Sequence, residues 1–175
     1  MGVMAAFIFA AQMLNFPIVG GTSGHFMGAA LSAILLGPWA GLLIMSCVLI
    51  AQCLIFQDGG LLTLGANILN MGIIGTFSSY YVYRFITSVA RQSHNSKLAG
   101  GFIGAWVALL LAAAACAIEL AASGSSPINV VLPAMTGVHI LIGLVEGLIT
   151  TAVLSIILKT RSDLLELHSA TFKEV

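Results

Sequence analysis

Residues 98–122 read LAGGFIGAWVALLLAAAACAIELAA, and residues 129–159 read NVVLPAMTGVHILIGLVEGLITTAVLSIILK. Each is an apolar run long enough to cross a hydrocarbon core of roughly 30 Å, which takes about 20 helical residues. Inside each run the only acidic residue is a glutamate, Glu119 or Glu146. Backbone polar groups cannot stay unpaired in lipid, so such runs must be helical. They are too long, and lack the two-residue alternation, for strands of a membrane barrel.

Working outward, four more helical segments follow. They cover residues 2–16, ended by Pro17 and the Gly20-Gly21 pair; 25–36, short and stopped by Gly37-Pro38; 39–56, ended by Gln57-Asp58-Gly59-Gly60; and 61–86. The 129–159 segment carries two kink candidates, Pro133 and Gly143. The sequence therefore predicts an all-α, polytopic transmembrane bundle of about six helices over residues 1–160. Residues 161–175 form a short tail of mixed charged and apolar residues.

Composition agrees. Hydrophobic residues make up 59% of the chain and charged residues 7%, against about 25% in a soluble domain. Six basic and six acidic residues cancel, so no basic surface exists to hold nucleic acid. Cys47, Cys53 and Cys116 sit in apolar runs without metal-site spacing and read as small buried hydrophobes. No nucleotide-binding or hydrolase motif is present, so the chain is not read as an enzyme.

Arg84, Arg91 and Lys97 bracket one connection, and Lys159 and Arg161 end the last segment. The positive-inside rule places both in the cytoplasm, with a cytoplasmic C-terminus. Counting back puts Asp58 and the loop at residues 17–24 outside, and the N-terminus of this chain inside. The expected location is the inner (cytoplasmic) membrane, with the bilayer as partner.

Three groups of residues can carry chemistry. In Gly20-Gly21-Thr22-Ser23-Gly24-His25, glycines permit positive φ and close approach. Thr22 and Ser23 can cap the next helix. His25 then stands at the outer start of that helix, either bonded to a loop carbonyl or offering a nitrogen to a transition metal. His139 and Glu146 lie two helical turns apart, on one face and at membrane depth, where ionisable groups turn inward. They read as a bridge between helices, a proton relay or a substrate site. Asn67 and Asn70, three residues apart, can bond a neighbouring helix or the loop bearing His25, and Glu119 is expected to face water near the outer end of its segment.

Several of these stretches occur together and in order: Gly21-Thr22-Ser23-Gly24-His25, Leu35-Leu36-Gly37-Pro38-Trp39-Ala40-Gly41, Asp58-Gly59-Gly60-Leu61, Leu64-Gly65-Ala66-Asn67-Ile68-Leu69-Asn70-Met71-Gly72, Gly137-Val138-His139 and Glu146-Gly147-Leu148-Ile149-Thr150. In this order, over about residues 13–160, the chain resembles the CbiM/NikM family. These are the substrate-capture membrane components of cobalt and nickel transporters of the energy-coupling-factor (ECF) type. The resemblance implies that the chain takes up divalent cobalt or nickel as substrate and holds no permanent cofactor. It implies as partners a membrane coupling (T) subunit, a pair of cytoplasmic ATPases and a small accessory membrane subunit.

The family's metal site, carried over, pairs the imidazole of His25 with a Met-His start that supplies an amine, a main-chain nitrogen and a second imidazole. Thr22, Ser23, Asn67 and Asn70 would surround it. The chain instead begins Met1-Gly2-Val3-Met4. The family has a seventh helix ahead of these six, so the expectation is that this helix is missing here and that metal is bound poorly without it. Two other readings stand beside the leading one. One is a coupling subunit that has lost its metal site. The other is a proton-coupled secondary transporter using His139 and Glu146.

Overall fold

The structure is a computed structural model that describes residues 1–18 and 22–164. The elements in chain order are α1 (Gly2–Gln12), β1 (Asn15–Ile18), β2 (Thr22–His25), α2 (Ala29–Leu36), α3 (Pro38–Phe56), α4 (Leu64–Asn67), a π-helical segment (Ile68–Ile74), α5 (Gly75–Val89), α6 (His94–Ala122) and α7 (Ile128–Thr160). The all-helical membrane bundle is therefore observed. Among the described residues three helices are long and apolar enough to cross a membrane: α3, α6 and α7. The continuous helical run from α4 to α5 supplies a further long element.

Four details differ from the sequence reading. The segment after α1 is an antiparallel ribbon, with Asn15 opposite His25 and Ile18 opposite Thr22. Pairing the two strands satisfies main-chain groups of a stretch that Pro17 and the glycines keep out of helix. Next, α2 begins at Ala29 rather than at His25. Its eight residues rise about 12 Å, less than half the hydrocarbon thickness, and residues 29–35 are all buried. It is a half-helix inside the bundle, turned back into α3 at Gly37, whose φ is 88°. The fourth segment is broken by the π-helical stretch. Finally, α6 starts at His94, one turn before the apolar run, because the Ser93 side chain caps it by accepting from the Ser96 N–H. Helix α7 runs unbroken through both Pro133 and Gly143.

Helices α6 and α7 form the central hairpin. A Cβ on Gly143 would meet Trp106 at 2.7 Å, and one on Gly147 would meet Phe102 at 2.8 Å. Small residues on α7 thus receive the large ones of α6, the packing mode available where lipid removes the hydrophobic drive between helices. On its other side α6 approaches α5 through Gly104, where a Cβ would stand 2.9 Å from the Ser79 carbonyl.

The hairpin gives the bundle two chemically different ends. The α5–α6 connection and the C-terminus of α7 share one end, with Arg84, Arg91, Lys97, Lys159 and Arg161. The α6–α7 turn and the α3–α4 connection share the other. His25 lines the same cavity as Asp58, Ser123 and Ser125, so the ribbon also lies at that second end.

Candidate metal-capture site

The cavity at this end has a volume of about 710 Å³. Its wall includes His25 from β2, Gln52 from α3, Asn67 and Asn70 from the α4–π segment, Glu119 from α6, and His139 from α7. The structure thus brings His25, His139, Asn67 and Asn70 to one space, although they are far apart in sequence.

The two imidazoles share a feature. Nδ1 of His25 lies 2.9 Å from the Phe26 carbonyl, and Nδ1 of His139 lies 2.7 Å from the Met135 carbonyl. A carbonyl only accepts, so Nδ1 carries a proton in each ring, and in the neutral imidazole the lone pair is on Nε2. That is the arrangement of metal-ligating histidines, whose second ring nitrogen donates to a carbonyl or carboxylate. His139 is 6% exposed and part of the cavity wall. It makes no bond to Glu146.

Glu146 has a different task. Its Oε2 accepts the Met27 N–H at 2.8 Å and its Oε1 accepts the Gly28 N–H at 2.9 Å. It is 3% exposed. A buried carboxylate needs such partners, because an unpaired charge at membrane depth costs several kcal/mol. Glu146 thus ties α7 to the segment between β2 and α2, while His139 is attached to its own helix.

The capping role expected of Thr22 and Ser23 also falls elsewhere. Both stand in β2, and their side chains lie outside the described set. Gly28 is the N-cap of α2, with φ of 73° and no side-chain cap of its own. Glu146 satisfies the main-chain donors just ahead of that helix.

The two asparagines separate as well. Asn70 Nδ2 donates to Glu119 Oε2 at 2.7 Å, whereas Asn67 Nδ2 reaches the Gly59 carbonyl at 3.5 Å. Glu119, expected to face open water, is half-buried and bonded in the cavity wall. The π-helical register accounts for this: each N–H reaches back five residues rather than four, which re-aims Asn70 relative to Asn67. Such segments are frequent at functional sites.

Two residues escaped sequence reasoning. Gln12 and Gln52 are 2% and 4% exposed. The signal was a lone amide inside each apolar helix, the same cost argument that singled out Glu146. Gln12 Nε2 donates to the Met27 carbonyl at 2.7 Å. Gln52 Nε2 and Asn70 Oδ1 are buried and have no hydrogen-bond partner among the described residues. Both residues line the cavity, which therefore presents polar groups in excess of those the bundle itself pairs. Among the described residues no three of His, Cys, Asp and Glu converge into a metal-holding group.

Residues 1–164 match the family described as "Cobalt uptake substrate-specific transmembrane region", CbiM. The chain belongs to the CbiM family. Among relatives of this CbiM chain is the "Putative fused nickel transport protein NikMN" of Archaeoglobus fulgidus, 50% identical over 98% of this chain and 57% of its own length. The cobalt transport protein CbiM of Sorangium cellulosum is 33% identical over 94% of this chain and 75% of its own. A crystal structure of a transition metal transporter superposes with a TM-score of 0.81 at 37% identity, covering 90% of this chain and 74% of that one. The chain spans a little over half of the archaeal fused relative. These relatives are named as metal transport proteins, a transporter family and not enzymes.

Proposed function

We propose that the chain is the substrate-specificity (permease) subunit of an ECF-type cobalt or nickel importer, with His25 as the ligand it contributes. The observation that carries this reading is the Nε2 of His25. Its ring is fixed through Nδ1, and His25 lines the cavity together with Gln52, Asn67, Asn70, Glu119 and His139, at the end of the bundle away from the basic residues. A neutral imidazole suits divalent cobalt and nickel alike. One imidazole does not hold either ion well, so the set is completed by the amine, main-chain nitrogen and imidazole of a family-type Met-His start. In this reading the cavity end faces outward, residues 1–160 form the inner-membrane domain and residues 161–175 lie in the cytoplasm. The membrane coupling subunit, the cytoplasmic ATPase pair and a small accessory subunit are the partners, and ATP hydrolysis drives import.

Proton-coupled transport through a His139–Glu146 relay has less support, because Glu146 is committed to two main-chain donors rather than to His139. The test is calorimetric titration, with nickel chloride in detergent, of the chain carrying a helix that begins Met-His ahead of Met1, beside His25→Ala in the same protein. Loss of roughly tenfold or more in affinity on His25→Ala supports the assignment. Equal affinity in the two proteins overturns it.

A further inference from the structure

Two consecutive peptide units follow His25, and each is bonded at both ends. The unit joining Phe26 to Met27 accepts the His25 Nδ1 proton on its carbonyl, 2.9 Å away, and gives its N–H to Glu146 Oε2 at 2.8 Å. The unit joining Met27 to Gly28 accepts from Gln12 Nε2 at 2.7 Å and gives its N–H to Glu146 Oε1 at 2.9 Å. The Met27 side chain, 1% exposed, is held as well, since a Cβ on Gly75 of α5 would stand 2.8 Å from its sulfur.

The geometry points to Glu146 as a positioning residue for His25, acting through the intervening peptide. The path runs from carboxylate to N–H, through the amide to its carbonyl, and on to the Nδ1–H of the ring. Metal-ligating histidines commonly give that proton to a carboxylate, which fixes the ring and raises the basicity of the ligating nitrogen. Here the carboxylate sits one peptide away. Hydrogen bonds in such a chain polarise one another inside a protein, so the negative charge strengthens the carbonyl as an acceptor for the ring. Gln12 prevents the second unit from turning. The membrane-buried carboxylate on α7 thus sets both the orientation and the donor strength of the imidazole on β2. This inference rests on the reading of His25 as a metal ligand.

Glu146→Gln separates the two claims. An amide is nearly the same size but offers one acceptor oxygen, and its NH₂ meets the second backbone N–H donor to donor. The chain carrying a helix that begins Met-His ahead of Met1, and its Glu146→Gln, His25→Ala and double variants, are each titrated with nickel in detergent, and thermal unfolding is followed alongside. Glu146→Gln is expected to weaken nickel binding roughly tenfold or more, by analogy with the cost of losing an outer partner of a ligand. In the His25→Ala background the same change is expected to have no further effect, because coupled residues do not add. An unchanged affinity in Glu146→Gln, with His25→Ala still harmful, overturns the inference and leaves the ligand assignment standing. Equal losses with and without His25 also overturn it, since they mark a purely structural role. An unaltered affinity in His25→Ala overturns the assignment and the inference together. If Glu146→Gln does not fold, Glu146→Asp takes its place in the cycle, because it keeps the charge but is one methylene too short to hold both N–H groups, and the same outcomes apply.

Discussion

Asn70 and Glu119 are joined by a 2.7 Å hydrogen bond that ties the π-helical segment to α6 at the cavity wall. Asn70 is 4% exposed. Replacing it with Ala strands one carboxylate oxygen in a half-buried place. The expected cost is about 1–3 kcal/mol. Thermal unfolding in detergent is expected to show a lower midpoint for Asn70→Ala, and an unchanged midpoint would show that water replaces the amide without loss.

Gly28 combines two demands. Its φ is 73°, a region costing an L-residue about 1–2 kcal/mol, and a Cβ there would stand 2.9 Å from Ile8 Cγ1. Gly28→Ala is expected to lower the unfolding midpoint. Combining it with Ile8→Ala removes the two γ-carbons that crowd the added Cβ but none of the φ strain. The double variant is therefore expected to fall less than the sum of the two single losses, which a double-mutant cycle checks.

The two ends of the bundle make the orientation measurable. A single cysteine at Asp58 is expected to react with an impermeant maleimide added to intact cells, and one at Arg161 only after the membrane is opened. Labelling of both positions from one side contradicts the positive-inside reading.

A helix beginning Met-His, joined ahead of Met1, is expected to raise nickel affinity well above that of the 175-residue chain, because it adds nitrogen ligands in fixed geometry. The gain is expected to vanish with His25→Ala. A gain that persists without His25 would place the added ligands in a site of their own.

Helix existence was legible in the sequence because lipid leaves a long apolar run one solution, and 98–122 and 129–159 became α6 and α7 with ends shifted by a few residues. The burial argument also found Glu146 and His139. What the residues alone did not carry was pairing. Seven residues apart on one helix put the two on a common inward face but did not say what each would meet: Glu146 reaches back to Met27 and Gly28, and His139 bonds the carbonyl one turn before it. Partner choice depends on which helices touch, and periodicity within one helix contains no such information. The ribbon escaped for a related reason. Its order comes from pairing Asn15 with His25, a contact of main-chain groups that depends only weakly on side-chain pattern.

The π-helical segment amounts to one residue more than a regular α-helix needs between Asn67 and Gly75. Seen as evolutionary bookkeeping, it behaves as a fixed insertion. Deleting one position within Met71–Ile74 would let the stretch relax to the ordinary repeat, and Asn70 would then face about 100° away from its present direction relative to α5. A hydropathy profile would hardly register the loss, since the span would stay long and apolar. Single-residue gaps are therefore expected to be rare at this place among relatives that keep an amide facing Glu119. Where such a gap does occur, the glutamate on α6 is expected to change with it.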